Sequence, residues 1–347
     1  MIQGHLQGVT LYSFTRLFHD RKYDLEGLIR EVAHRKLGPG LEIIGFSSFR
    51  GFPNIPKETV HKIRTLIDES GLVPTSLAAN ADFGLRRDRN LTPDEAVEYM
   101  ARQIDAAKQL GFPLVRVQIS LTPDDMERLL PYAEAADIKL GLEVHAHHSP
   151  MDPAMVAHRE RYEKLDSGYL GFVPDFGATT VAVSPNLKEK YRRLGIREEF
   201  IELLDATWHR HHLMGPPMNG QDQAARFGEF IGLAHQNGYP DLGVELAVNL
   251  TGLHGHANPD DWASMLHLVW HTHAKFFSIV DGDEPATPLA HLMRVFSENN
   301  YTGSMSSEFE GWHWSYWDDP FEMVELHQAA IRRHCADNGR AVRTEIS

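Results

Sequence analysis

The 347-residue sequence predicts a closed (β/α)8 barrel, and three observations lead there. Short apolar runs alternate with amphipathic helical stretches from residue 8 to residue 174, as in a parallel sheet wrapped by helices. No Gly-x-Gly-x-x-Gly follows the first strand; Gly38-Pro39-Gly40 is a turn before a strand, not a phosphate cradle before a helix, so a doubly wound sheet is disfavoured. The length is large for most single domains but suits one barrel spanning residues 1–347.

Taken in order, GVTLYSF (8–14) reads as a first strand, and Asp24 to Leu37 as a helix with Leu25, Leu28, Ile29 and Val32 on one face. GLEIIGF (40–46) is a second strand, followed by a helix over Lys57 to Ser70, and Leu72 to Ala79 is a third. Thr92 opens a helix, with Glu95 as its capping-box partner. LVRVQI (114–119) is a fourth strand, and Thr122 starts a capped helix through Ala136. Ile138 to Val144 is the fifth strand, Tyr169 to Pro174 the sixth. The rhythm then breaks. Asn186 to Met214 and Gln221 to Asn237 both look helical, with a Gly-Pro-Pro turn at 215–217. Strand candidates resume at LGVELAV (242–248), WHTHAKFFSI (270–279) and GSMSSEF (303–309), with helices at Asp260 to Leu268, Pro288 to Asn299 and Pro320 to Ala336. Nine strand candidates for eight places predict a helical insertion around 186–240 and one candidate outside the barrel.

Composition narrows the function class. Hydrophobic residues make up 42% and charged residues 24%, the balance of a soluble globular enzyme. A net charge of −14 repels phosphate backbones and anionic lipid, which argues against a nucleic-acid or membrane binder. With Cys335 as the one cysteine, neither an internal disulfide nor a zinc–thiolate cluster can form. No signal-like segment or long apolar run is present, so a cytoplasmic protein is expected.

The chemistry gathers at strand ends, where a barrel of this kind builds its site. The stretch KLGLEVHAHH (139–148) starts as a buried strand and ends in a carboxylate and three imidazoles; unpaired, a buried charge there is costly. Glu143 ends the fifth strand, with His145 two residues on. Asp175 follows the sixth, although a residue before Phe-Gly is also a natural helix cap. His271, His273 and Lys275 share one face of a later strand, and His271 reads as a hydrogen-bonded core histidine. The last strand ends in Glu308 and Glu310, the latter also readable as an ion-paired loop residue. A mixed oxygen and nitrogen donor set of this hardness suits Mn²⁺ or Mg²⁺ best, with Zn²⁺, Fe²⁺ and Co²⁺ as further candidates. Arg116 and Gln118 project from the fourth strand, and Gln118 suits a substrate hydroxyl. Trp312, His313, Trp314, Tyr316 and Trp317 supply aromatic faces for a sugar ring or flat aglycone, or plug the barrel mouth. His209, His211 and His212 read as a solvated helix face, and His147 and His148 as loop residues.

At these positions the sequence resembles the sugar phosphate isomerase/epimerase superfamily, the xylose isomerase-like TIM barrels. Their pattern of a strand-end Glu, a strand-end Asp, a His in His-x-Lys and a final-strand Glu matches Glu143, Asp175, His273 and Glu308, and implies that these four ligate metal. Many relatives carry Asp-x-x-His on the sixth strand. This chain has Asp175-Phe176-Gly177-Ala178, which speaks against a second metal. A more specific resemblance is to the large (alpha) subunits of bacterial C-glycoside deglycosidases. It rests on Val9 to Thr15 (VTLYSFT), GLEIIGFSSFRGFP (40–53), RVQIS (116–120), LEVHA (142–146) and EFEGWHW (308–314).

That resemblance implies action on 3-oxo-C-glucosides of flavonoid-type aglycones, a divalent metal such as Mn²⁺, and a small beta subunit within a hetero-oligomer. The residues fit a lyase chemistry. A ketone at C3 acidifies the C2 proton, a Lewis acid on that carbonyl stabilises the enolate, and elimination at C1 expels the aglycone carbon. His145 is the expected base, Lys275 the expected aid to the oxyanion, and Arg116, Gln118, Glu310, Trp312 and Trp314 the expected substrate contacts. His147, His271 and Glu310 are candidates for the acid. The competing reading is a keto-sugar epimerase, isomerase or dehydratase of the same barrel, in which Glu residues move the proton. A non-catalytic sugar-binding subunit and the metal-dependent endonuclease branch of the fold are further alternatives.

Overall fold

A computed structural model of the chain describes residues 2–118 and 120–345. Ile119, the last residue of the expected fourth strand, lies outside them. Among the described residues, eight parallel strands run side by side in the order β6-β5-β4-β3-β2-β1-β8-β7. They are β1 (Ile2–Thr10), β2 (Gly40–Ile44), β3 (Val73–Ala79), β4 (Leu114–Val117), β5 (Lys139–Val144), β6 (Leu170–Pro174), β7 (His271–Phe276) and β8 (Ser304–Phe309). The sheet nearly closes: β6 and β7 touch through the isolated bridges Phe172–Val269 and Asp175–His273. A further strand, β9 (Arg340–Arg343), adds to the outer part of β1 with Ile2 opposite Arg340. The sequence reading did not anticipate it, because RAVR carries no hydrophobic alternation.

Helices α1 (Leu25–His34), α2 (Lys57–Glu69), α3 (Pro93–Leu110), α4 (Pro123–Ala136) and α5 (Pro153–Leu165) cover the outside of the first six strands. The Thr92–Glu95 capping box forms, and Thr122 makes an equivalent one with Asp125. Each box satisfies amide donors that the first helical turn leaves free.

Between β6 and β7 the chain builds three helices, α6 (Pro185–Arg193), α7 (Glu198–Met214) and α8 (Gly220–Gln236), the expected insertion. The single helix anticipated over 186–214 is two, broken at Gly195, whose φ of 77° suits glycine. LGVELAV is the strand candidate that lies outside the barrel. It forms a helical turn at Gly243–Ala247 that continues through Val248–Gly252. Leu246, Ala247 and Leu250 are buried while Val244 and Val248 are exposed, a helical pattern that a seven-residue apolar run does not reveal. The insertion has its own core around Trp208, Phe200, Phe230 and Leu246, into which Phe277 and Trp314 reach from the barrel loops. Helices α9 (Leu289–Glu298) and α10 (Pro320–Asp337) complete the outer layer. The helix expected over 260–268 is 3-10 turns instead.

The first strand also differs from its expected bounds. It ends at Thr10, whose side chain accepts the Tyr12 amide at 3.3 Å and caps the turn Leu11–Phe14. The second similarly ends at Ile44. Both early endings bring Tyr12, Thr15 and Phe46 over the C-terminal mouth of the barrel.

Candidate active site

The period-two alternation of a strand decides which side chains reach the barrel interior. On β7 it turns His271, His273 and Lys275 to one face, and on β8 Ser304, Ser306 and Glu308. The register sets Lys275 opposite Glu308 and His273 opposite Ser306. Glu143 comes from the end of β5, and Asp175 from just beyond β6, where it faces His273 across the seam. Glu143, Asp175, His273 and Glu308 thus converge, each offering a donor atom within 4.8 Å of the others, and all four are buried. His273 Nδ1 is 2.7 Å from Glu143 Oε1 and 3.5 Å from Glu308 Oε2. Asp175 Oδ1 accepts the Gly177 amide at 2.7 Å, leaving Oδ2 for the cluster. A Cβ at Gly177 would come within 2.7 Å of the Lys275 chain, so glycine there lets Lys275 lie against the backbone.

Charge in this space is uneven. Five buried carboxylates (Glu42, Glu143, Asp175, Glu308, Glu310) surround three buried basic groups, Arg116, His273 and Lys275. Lys275 Nζ stands 2.8 Å from Asp175, 3.0 Å from Glu310 and 3.8 Å from Glu308. Burial alone would lower its pKa, but Asp175, Glu310 and Glu308 together hold it well above the usual lysine value. His273 is also pushed well up: burial opposes this, and Glu308 and Glu42 overcome it. Burial raises the Glu143 carboxyl, but Arg116 (3.6 Å away) and His273 more than reverse this and hold it below the carboxylate range. Glu308 goes the other way. Burial, with the charges of Asp175 and Glu143, pushes it up to about 8 despite His273 and Lys275. The site therefore lacks positive charge. Among the described residues Glu308 Oε2 is buried without a hydrogen-bond donor, and Asp175 Oδ2 faces only the Lys275 ammonium at 2.8 Å; a buried polar oxygen left unpaired is costly. Hard oxygen donors with one imidazole, an excess of carboxylates over basic groups and the orphaned Glu308 oxygen fit a divalent cation.

Above the cluster opens a cavity of about 330 Å³ lined by Tyr12, Phe46, Arg116, Gln118, His145 and Trp312, among others. His145 Nδ1 lies 2.6 Å from the Ala146 carbonyl, an acceptor, so that nitrogen carries the proton. Its Nε2 then holds the lone pair, which faces Lys275 Nζ at 2.9 Å. Trp312 meets Tyr12 edge-on at 5.4 Å and stacks on His313 at 3.9 Å. Glu310 is sealed beneath, receiving Lys275 on one oxygen and the Tyr12 hydroxyl on the other.

Trp314, expected beside Trp312 at the substrate, is placed elsewhere. It is fully buried in the insertion core and donates to Asn186 Oδ1 at 2.8 Å. Within the turn after β8, Trp312 and His313 stay at the cavity while Trp314 enters the insertion core. The solvated face expected for His209, His211 and His212 holds for His209 alone: His211 is buried against Glu229 at 2.8 Å, and His212 stacks on Trp208. His271 is a satisfied core histidine, bonded to Ser304 and Glu42, which removes it from the candidate acids. His147 and His148 sit in the half-buried loop after β5, His148 bonded to Asp152. His313, one of the expected aromatic faces, does line the cavity; sequence reasoning missed Tyr12 there, and Glu42 altogether. A carboxylate inside the apolar run GLEII was the available signal.

A family model described as xylose isomerase-like TIM barrel matches residues 39–264. The chain is 51% identical over 343 residues to a C-glycoside deglycosidase alpha subunit of Microbacterium trichothecenolyticum, covering 99% of this chain and 93% of that one. It is 45% identical over 327 residues to a 3'-dehydrocarminate deglycosidase alpha subunit of Microbacterium sp, covering 94% of each. Among solved structures, a sugar phosphate isomerase/epimerase from Parabacteroides distasonis superposes with a TM-score of 0.52 at 14% identity, covering 96% of this chain and 95% of that one, a likeness of fold.

Proposed function

The chain belongs to the xylose isomerase-like TIM barrels and, within them, to the family of C-glycoside deglycosidase alpha subunits, and on that footing we propose that it cleaves the C–C bond of 3-oxo-C-glucosides. It acts as the large subunit of a complex with a small beta subunit, as the alpha-subunit names of its relatives support. The aglycone is flat and flavonoid-like, for which Tyr12, Phe46 and Trp312 offer faces in the cavity. A divalent metal held by Glu143, Asp175, His273 and Glu308 (Mn²⁺ ahead of Mg²⁺, Co²⁺, Zn²⁺ and Fe²⁺) supplies Lewis acidity toward the sugar ketone.

The remaining work falls to side chains. His145 takes the C2 proton on Nε2, since Nδ1 is committed to the Ala146 carbonyl. Lys275, kept cationic by its carboxylates, holds positive charge beside the base and the developing oxyanion. The C2–H electron pair becomes the enolate. As the ketone re-forms, a C1–C2 double bond appears and the C1–aglycone bond breaks with its pair on the aglycone carbon, which takes up a proton. Water is not consumed. Gln118 and Arg116 face the same cavity and orient the sugar.

The observation that carries this reading is His145 itself: an imidazole in the cavity wall two residues beyond Glu143, with Nδ1 committed to the Ala146 carbonyl and Nε2 beside the Lys275 ammonium at 2.9 Å. The test is to assay the purified chain, with beta subunit and Mn²⁺, on a flavonoid 3-oxo-C-glucoside and on a free ketohexose. Release of the aglycone with an unsaturated 3-keto sugar is expected. Epimerisation of the ketohexose with no aglycone release would favour the epimerase reading and sink this one.

A further inference from the structure

Glu42 is absent from the ligand quartet, yet it is one of the most enclosed charged groups in the barrel, with no solvent exposure. It projects from β2 between two imidazoles of β7. Its Oε2 lies 2.7 Å from His271 Nε2 and 2.9 Å from His273 Nε2, and its Oε1 3.0 Å from His273 Nε2. The two rings stand nearly perpendicular, at 87°, so both present an edge nitrogen to one carboxylate. On its far side, His271 Nδ1 meets Ser304 Oγ at 2.7 Å.

With a cation held by the quartet, one proton arrangement satisfies every partner. The Ser304 hydroxyl donates to His271 Nδ1, and His271 Nε2–H and His273 Nε2–H both donate to Glu42. His273 Nδ1 is then the nitrogen that faces Glu143 and Glu308. We propose that Glu42 is the positioning residue of the metal centre: it fixes the tautomer and ring orientation of His273 so that Nδ1 is offered as ligand. This rests on the metal reading of the quartet given above. A carboxylate behind a ligating histidine anchors the ring and raises its basicity, and a buried carboxylate holding two N–H donors avoids much of the desolvation cost of an unpaired one.

Glu42, His271 and His273 also lie close enough to bind a cation themselves. The two uses compete for His273. A second cation needs the Nε2 lone pair, which puts the ring proton on Nδ1 and withdraws that nitrogen from the quartet. The hydrogen-bonded arrangement therefore implies one metal per chain.

The experiment compares the full-length wild-type chain with Glu42→Gln and Glu42→Leu after metal removal. Mn²⁺ is titrated by calorimetry, and the d–d absorption of bound Co²⁺ is recorded. The wild type is expected to bind one Mn²⁺ per chain. Glu42→Gln, which keeps one acceptor for Nε2–H, should weaken binding by about 10-fold, and Glu42→Leu by about 100-fold. The Co²⁺ bands should shift in Glu42→Leu as the imidazole is lost from the coordination sphere. A carboxylate with a merely structural role would lower the melting temperature and leave that spectrum unchanged. Wild-type affinity and spectrum in both variants would overturn the proposal. So would two Mn²⁺ per wild-type chain falling to one in Glu42→Gln. If the wild type binds neither metal, the metal reading itself fails and this proposal with it.

Discussion

The ammonium of Lys275 donates to Nε2 of His145 across 2.9 Å, from two strands that β6 separates. The two residues are thus coupled, but their removal should have different consequences. His145 is half-exposed to the cavity and contributes no donor to the quartet. His145→Gln should lower kcat by about 10²–10⁴-fold while leaving Mn²⁺ affinity within about threefold of wild type. Lys275→Met strips the cation from Asp175 and Glu310, both buried. It should cost about 3–5 kcal/mol of stability, as breaking a buried pair does, in addition to activity. Parallel kinetics, calorimetry and urea titrations separate the two; loss of metal binding in His145→Gln would move that residue into the ligand set.

The quartet makes a prediction about folding as well as turnover. Because its donors come from β5, the end of β6, β7 and β8, a bound ion links elements on both sides of the β6–β7 seam. Stripping the metal should abolish activity, and Mn²⁺ should restore it. At a hundredfold excess over Kd, the ion should stabilise the chain by about 2.7 kcal/mol. Glu143→Gln should lose most of that increment, read as a melting temperature that no longer responds to Mn²⁺.

Much of this was legible in the sequence, for definable reasons. The eight strands announced themselves as short apolar runs, and Glu143, Asp175, His273 and Glu308 stood out because ligand-type residues interrupt or end such runs. The fold, and the four residues that converge at its mouth, were therefore readable from composition along the strand. Three-dimensional registration was not. Glu42 sits in the apolar run GLEII, and only the curvature of the barrel brings β2 to His271 and His273 on β7. Trp312 and Trp314 are two residues apart, and the turn Glu310–His313 alone decides that they diverge. LGVELAV has the composition of a buried strand, and the neighbouring α8 makes it a helix.

Acid stability should follow four buried imidazoles outside the quartet. Burial lowers His5 to about 4, His254 to about 4, His256 to about 2 and His327 to about 3, with Arg343 adding at His5 and Arg226 at His256. Each binds its proton more readily unfolded, near 6.5, than folded. Their stabilisation is thus complete above pH 6.5 and is lost as pH falls toward 4. Glu284 opposes them. Burial pushes it up to about 7, so it favours the folded state most at low pH and loses that contribution as pH rises from 4.5 to 7. One carboxyl against four imidazoles leaves the imidazoles dominant. Unfolding free energy of the metal-loaded chain, measured by urea at several pH values, should fall from pH 6.5 to pH 4.5. His327→Leu should flatten that slope by about 1.4 kcal/mol per pH unit at its lower end. An unchanged slope would show that His327 is already protonated in the folded chain.

The pair Trp312 and Trp314 gives a sharper test of how the loop after β8 serves two structures. Trp314 is fully buried, stacks over Phe277 at 6.0 Å and anchors to Asn186 at the start of α6. Trp314→Ala empties a large volume where the insertion meets the barrel and should cost about 3–5 kcal/mol. Asn186→Ala frees the indole N–H and should cost about 1–3 kcal/mol, since a buried donor is left without a partner. Trp312 is half-buried in the cavity wall, with its indole N–H unpartnered among the described residues. Trp312→Ala should therefore change stability far less and act on the substrate, raising KM for an aromatic C-glucoside more than it lowers kcat. Urea titration and steady-state kinetics on the three variants read both effects. A large KM change in Trp314→Ala with unaltered stability would return that tryptophan to the cavity, against the packing described here.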